Sequence, residues 1–479
     1  MSKVFKILAA FVILCETSAL FAEVVSRPNI LFCISDDQSW KHASAYGEPE
    51  IHTPVFDRVA EHGALFLQAY AAAPSCTPSR GAILSGQDIW RIEEAGQLFG
   101  TIPADLPLYT DLLNAVGYHV GYNRKGWGPG RARAGGRTTD PVGRKYKTFA
   151  DFLAAAEEEQ PWCFWFGSQD PHRGFKKGSG QRAGIDPNKV QVPDFLPDTP
   201  AIRNDLADYF YEIQRFDREV GEMLELLEKA GQLDNTIVVI TSDNGMPFPR
   251  SKATLYDYGV RMPLAIQWPA KMPGGRVIED FVNLTDLAPT FLEAAGVEVP
   301  DVMTGRSLLN ILKSEKEGQI EVDRSATYAG RERHAWCRID GKGYPSRMLR
   351  TKDYLYIRNY EPDRWPAGNF RIKTNEGRYG DVDRSPSKQF MLDNKKRYPG
   401  LYQLSFGKRP AEELYDCRHD PYQMHNLANN PQYRLLLQEL SDQLTAHLKK
   451  TGDPREKPGP APWDDYPYFG RSDWELLAE

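Results

Sequence analysis

The sequence predicts an α/β protein: a large domain with a mixed, largely parallel sheet between helices, then a smaller α+β domain with an antiparallel sheet. Three observations carry this expectation. Short, almost wholly apolar runs at 29–34, 162–166 and 236–240 alternate with amphipathic stretches, the pattern of central strands covered by helices on both faces. Each run ends in a polar cluster: Ser35-Asp36-Asp37, Ser168-Gln169-Asp170 and Thr241-Ser242-Asp243-Asn244. Beyond about residue 320 the long periodic stretches give way to short β-rich ones.

In chain order, Lys3 and Lys6 precede an apolar run at 7–14, and Ala22 offers a small residue before a cut. Residues 1–22 are therefore expected to be a signal peptide and the protein to be exported, periplasmic or secreted. Leu14 before Cys15 argues against a lipoprotein cut. No later stretch has the roughly 18 apolar residues of a membrane span. The α/β domain is expected over 23–320. Its helices fall at 54–64, 110–116, 205–230 and 285–295, where apolar residues recur at three- and four-residue spacing; Gly231 and Gly296 stop the last two. A fourth strand is expected at 118–122. The α+β domain, 321–450, is expected to have short strands around Tyr328, Trp336, 348–350, 354–357 and 413–415, and a closing helix at 435–448. Residues 451–479 form a Pro-rich tail, expected to be extended on the surface.

A charge of −6, from 59 Lys and Arg against 65 Asp and Glu, argues against a nucleic-acid-coating protein, whose affinity rests on positive surface. The six cysteines include no C-x-x-C, which argues against a zinc ribbon or a thioredoxin-type site. Cys33 and Cys163 lie in apolar runs and are expected to be buried free thiols.

Asp36-Asp37 and Asp243-Asn244 follow strands, and in open α/β sheets ligands sit beyond the carboxyl ends of strands. Three carboxylates and an amide carbonyl are hard oxygen donors, suited to Ca²⁺ or Mg²⁺. The most informative stretch is Cys76-Thr77-Pro78-Ser79-Arg80-Gly81, with Ser85-Gly86 after it. It resembles the C-x-P-S-R signature of the type I, formylglycine-dependent sulfatases. Arg27-Pro28-Asn29-Ile30-Leu31, His52-Thr53-Pro54 with Asp57, Asp243-Asn244-Gly245, Leu255-Tyr256 with Gly259-Val260-Arg261 and Pro263, and Leu414-Tyr415-Asp416 resemble further segments of that family. The likeness runs from about residue 27 to 448.

The resemblance implies an alkaline-phosphatase-like fold and hydrolysis of sulfate from a sulfated carbohydrate. It implies that Cys76 is oxidised to formylglycine by a formylglycine-generating or sulfatase-maturing enzyme, and that a hydroxyl of the hydrated aldehyde attacks sulfur. Asp36, Asp37, Cys76, Asp243 and Asn244 are expected to hold Ca²⁺, with Mg²⁺ as the alternative. Arg80, Lys125, His172 and Lys252 are expected to complete the catalytic set. If Cys76 begins a helix, one turn brings Arg80 beside it. Arg124 competes with Lys125 for the family's lysine role, and Trp127 stands where the family has a histidine. Asp170-Pro171-His172-Arg173 and Asp243-Asn244-Gly245-Met246-Pro247-Phe248-Pro249 resemble the heparan N-sulfatase (sulfamidase) branch, although that branch has an arginine at the place of Lys252. An N-sulfoglucosamine substrate is therefore expected. The alternatives are O-sulfated glycosaminoglycan or algal polysaccharide, and a phosphate or phosphonate monoester. Arg173, Arg333 and His334 are expected at the substrate, with Arg331 reaching the same cleft. The basic run Arg131, Arg133, Arg137, Arg144, Lys145 and Lys147 is either a solvated face or a surface for a polyanionic sugar.

Overall fold

The structure is a computed structural model that describes residues 27–477; the expected signal peptide and Cys15 lie outside the described residues. An eight-stranded sheet runs in the order Arg144–Lys145, His119–Arg124, Trp162–Gly167, Asn29–Ser35, Thr236–Ser242, Leu264–Gln267, Ala64–Phe66, Arg276–Ile278. Its first five strands are parallel, and Leu264–Gln267 runs antiparallel to both neighbours. Alternation along Asn29–Ser35 sends Ile30, Phe32 and Ile34 to one face, with residues of the helices Cys76–Ser85 and Leu287–Ala294. Leu31 and Cys33 go to the other face, with residues of Pro54–Glu61 and Pro200–Lys229. An apolar run with no polar face is thus a strand buried on both sides. Cys33 and Cys163 are buried free thiols.

Two helix expectations shift. The long helix begins at Pro200 rather than 205, because proline at the first helical position brings a preset φ and lacks only an N–H that would have no helical partner. The stretch 285–295 divides into a 3-10 turn, Leu284–Asp286, and the helix Leu287–Ala294. Asn283 caps the turn by accepting from Thr285 N–H, which fixes the start ahead of the apolar pattern.

The C-terminal sheet is antiparallel, in the order Ala326–Arg331, Ser346–Thr351, Tyr354–Asn359, Glu412–Asp416. Leu349, Tyr356 and Leu414 join the larger core, together with Leu440, Leu444 and Leu448 of the closing helix Arg434–Lys450. Trp336 is not in a strand; its ring lies beside Tyr468 and under the Arg333 guanidinium. The Pro-rich tail is not an extended surface segment. It makes 3-10 turns at Pro454–Glu456 and Pro462–Asp464 and buries Trp463 to 1 % exposure. The short strand Glu475–Leu476 pairs with Ile372–Lys373. Trp463 supplies the apolar anchor that a composition dominated by proline and acidic residues conceals.

Candidate active site

Four parallel strands deliver their next residues to one edge of the sheet. Ser35 is in register with Ser242, so Asp36 and Asp37 meet Asp243 and Asn244 directly beyond the ladder. Asp37 turns the chain there with φ 76°, a left-handed conformation that Asp tolerates better than most residues. Its N–H donates to Asp243 Oδ1 at 3.1 Å, and Asn244 Nδ2 donates to Asp37 Oδ1 at 2.7 Å. Gly245 is required by packing: a Cβ there would lie 1.7 Å from the Tyr258 carbonyl oxygen. Lys125 follows His119–Arg124, and His172 lies five residues beyond Trp162–Gly167.

Cys76 opens the wholly buried helix Cys76–Ser85. Its Sγ lies 3.4 Å from Asp36 Oδ1. One ligand atom from each of Asp36, Asp37, Cys76 and Asp243 falls within a 4.8 Å cluster. Asn244 Oδ1 is buried and has no hydrogen-bond partner among the described residues. A hard donor set with a buried, unpartnered amide oxygen at its side fits a divalent cation that prefers oxygen ligands.

Cations surround this cluster. One turn after Cys76, Arg80 donates through Nε to Asp243 Oδ2 at 2.7 Å and through Nη1 to the Gly126 carbonyl at 3.0 Å. Its Nη2 lies 3.9 Å from Asp36 Oδ1 and has no hydrogen-bond partner among the described residues. Lys125 Nζ donates to both oxygens of Asp36 at 2.7 Å. Lys252 Nζ donates to Asp37 Oδ2 at 2.7 Å and lies 3.2 Å from Asp383 Oδ2. His172 Nδ1 lies 2.8 Å from the Arg173 carbonyl, which can only accept, so Nδ1 carries the proton. Its Nε2 lies 3.2 Å from Lys252 Nζ, and the ring is 37 % exposed.

The electrostatics follow from burial and these neighbours. Burial opposes ionisation of Asp36, but Lys125, His172 and Arg80 outweigh it and hold the carboxyl well below its ordinary range. Burial also opposes charge on Lys252, and Asp37 and Asp383 reverse that, keeping it protonated. Burial, with Asp36 and Asp243 beside it, pushes the Cys76 thiol well up despite Lys125. The unmodified residue is therefore a neutral thiol at ordinary pH, a poor nucleophile.

These contacts report how the expected residues assemble. Asp36, Asp37, Cys76, Arg80, Lys125, His172, Asp243, Asn244 and Lys252 converge. Arg124 does not: it turns to Glu219 at 2.5 Å. Arg173 is committed to Asp205 and lies between the Phe175 and Phe248 rings. Arg333 donates to the Tyr466 and Pro467 carbonyls, holding the tail. Arg331 pairs with Asp381 at 2.6 Å. These three guanidinium groups have internal partners, which the sequence expectation of substrate contact did not anticipate. His334 stays near the site, with Nδ1 2.8 Å from the hydroxyl of Ser75, the residue before Cys76; burial lowers its pKa to about 4, so the ring is neutral. The basic run also divides. Arg137 is buried against Asp111, whereas Arg131, Arg133, Arg144, Lys145 and Lys147 are exposed. Asp383 was missed; an Asp two residues from Asp381 in a loop gives no spacing signal.

A family model described as sulfatase matches residues 28–297. The chain belongs to the sulfatase family. Members of this family hydrolyse sulfate esters and sulfamates, and the chain is an enzyme of that class. A second model, N-sulphoglucosamine sulphohydrolase, C-terminal, matches residues 250–367. N-sulphoglucosamine sulphohydrolase of Homo sapiens is 29 % identical, over 90 % of this chain and 91 % of its own. An ulvan-active sulfatase of Formosa agariphila is 27 % identical, over 91 % of this chain and 82 % of its own. A protein solved in complex with its substrate D-glucosamine-2-N,6-O-disulfate shares the fold with TM-score 0.65 and 22 % identity, over 90 % of this chain and 100 % of that one. A phosphonate monoester hydrolase from Silicibacter pomeroyi shares it with TM-score 0.64 and 18 % identity, over 89 % of this chain and 96 % of that one. Within that family the chain lies near the sulfamidase branch, and it has an alkaline-phosphatase-like fold.

Proposed function

We propose that this sulfatase removes the N-sulfate from a glucosamine residue of heparan type, using formylglycine derived from Cys76 and a bound Ca²⁺. The observation that carries the reading is the convergence of Asp36, Asp37, Asp243 and Cys76 within 4.8 Å, ringed by Arg80, Lys125 and Lys252 beside a half-exposed His172. The match of residues 250–367 to the sulphohydrolase C-terminal model and the human relative support the N-sulfate. We further propose that the mature enzyme acts after export; no helix among the described residues is long and apolar enough to cross a membrane.

Asp36, Asp37, Asp243 and Asn244 would hold the cation, which when bound supplies Lewis-acid polarisation of the oxygens facing it. Formylglycine at 76 supplies, as its hydrate, the nucleophilic hydroxyl that a protonated thiol does not. Arg80 fixes the Asp243 carboxylate and ties it to the backbone at 125–126. Lys125 and Lys252 are the ammonium groups positioned for the non-bridging oxygens of a sulfo group. His172 has its Nδ1 proton directed to the Arg173 carbonyl, so Nε2 is the atom that takes up a proton and delivers it to a departing nitrogen. An amine leaves only when protonated, so this acid matters more for a sulfamate than for an activated ester.

The test is initial rates on N-sulfo-, 6-O-sulfo- and 2-O-sulfoglucosamine at matched concentration, with Ca²⁺. The expected result is fastest release from the N-sulfate. Preference for either O-sulfate overturns the N-sulfate assignment and favours a polysaccharide O-sulfatase, a reading supported by the ulvan-active relative.

A further inference from the structure

Behind Lys252, the loop 250–256 packs against the C-terminal sheet around a cavity of about 30 Å³. Arg250, Arg331, Tyr344, Ser405, Arg409 and Glu413 form much of its wall. None of the residues lining this cavity is a member of the carboxylate–Cys76 cluster. Arg250 is 1 % exposed and Arg331 5 %. The Nε of each, the Tyr344 hydroxyl and the Ser405 hydroxyl are buried without a hydrogen-bond partner among the described residues. Four donors at one small cavity therefore lack an acceptor.

The carboxylates nearby are already occupied. Glu413 accepts from Asn359 Nδ2 and from the Tyr256 and Tyr415 hydroxyls. Asp381 accepts from Arg331, Arg338 and the Ala335 N–H. Arg250 directs its other nitrogens to the neutral carbonyls of Leu404 and Gln423. Lys252, at the cavity's edge, is balanced by Asp37 and Asp383. Four guanidinium groups, of Arg250, Arg331, Arg338 and Arg409, thus share two carboxylates. Burial lowers the pKa of Arg331, with Asp381 opposing and Arg338 adding to the effect. Water would satisfy the donors but leave the excess charge, and uncompensated buried charge is costly.

We propose that this cavity binds a monatomic anion, chloride, through Nε of Arg250 and Arg331 and the hydroxyls of Tyr344 and Ser405. Size selects the class. One water needs roughly 10–15 Å³, so the cavity of about 30 Å³ has room for a single halide. The anion joins the loop carrying Lys252 to the C-terminal sheet, so it positions that lysine without touching substrate. This is independent of which sulfated sugar the enzyme takes.

The decisive experiment is an anomalous difference map of the full enzyme crystallised with sodium bromide as the only halide. The expected result is a bromide peak among the four donors. Density there that fits water alone, or bromide confined to the catalytic cations, overturns the proposal. In solution, exchanging gluconate for chloride at constant ionic strength should raise the thermal midpoint by about 2 °C or more, as for any ligand of the native state. The rise should vanish in Arg250→Met. Equal midpoints in both anions for the unaltered enzyme contradict the proposal, and the bromide map decides the matter if the variant does not fold.

Discussion

Two buried charge clusters in this molecule differ in one respect. Around Arg347, at the junction of the C-terminal sheet and the tail, Nε donates to Asp453 at 2.6 Å and Nη2 lies 2.8 Å from Glu332. Arg455 Nε donates to the other side of the cluster, on Glu332, at 2.8 Å. Among the described residues, no side-chain atom of Arg347, Glu332 or Asp453 is left buried and unpartnered. At the carboxyl edge of the large sheet the buried charges are more numerous, yet Asn244 Oδ1 and Arg80 Nη2 remain unpartnered among the described residues. A closed cluster is a clamp: it fixes the tail at the price of desolvating its ions. An open one keeps bonding capacity for something else, and here that capacity lies beside Asp36 and Asp37 of the carboxylate–Cys76 cluster.

If this contrast is right, substitutions at the open cluster should remove chemistry and substitutions at the closed one should remove stability. The largest effect is expected for Cys76→Ala, which should lower kcat by about 10⁴-fold or more with an unchanged circular dichroism spectrum. Chelation by EDTA should likewise abolish turnover, and Asp243→Ala should weaken Ca²⁺ binding measured by calorimetry. Full activity in EDTA would remove the metal from the account. His172→Ala should slow N-sulfate hydrolysis by about 10²–10⁴-fold, the usual scale for a general acid, and should slow an activated aryl sulfate less. Equal losses on both substrates would reassign His172 to binding. The smallest effect on chemistry is expected for Arg347→Met. It should leave kcat of the folded enzyme within about twofold, while leaving Asp453 as a buried charge without its guanidinium partner, Glu332 keeping Arg455, at a cost of about 3–5 kcal/mol, read as a lower thermal midpoint. A large fall in kcat with no change in midpoint would break the comparison from the other side.

The same contrast explains what the sequence discloses. Asp36-Asp37 and Asp243-Asn244 are legible because each follows an apolar strand, and parallel register alone then brings them together. Cys76 and Arg80 are legible through the resemblance of their C-x-P-S-R stretch to the sulfatase signature, which one helical turn then makes spatial, and Lys125 and His172 through the family segments that follow their strands. Arg333 and Arg173 mislead because their charge is visible in sequence and their internal partners, the tail carbonyls and Asp205, are not. Asp383 and the Arg347 cluster are illegible for the same reason: their partners meet only through tertiary packing across long separations. The tail reads as surface because proline dominates its composition, whereas Trp463 decides its position.

The most direct test of the open site is the chemical state of residue 76. Peptide mass spectrometry over 71–80, on active enzyme purified from its own host, should find the CH2–SH of cysteine replaced by an aldehyde or its hydrate. The modified fraction should scale with specific activity. Full activity with an unmodified Cys76 thiol would contradict the account.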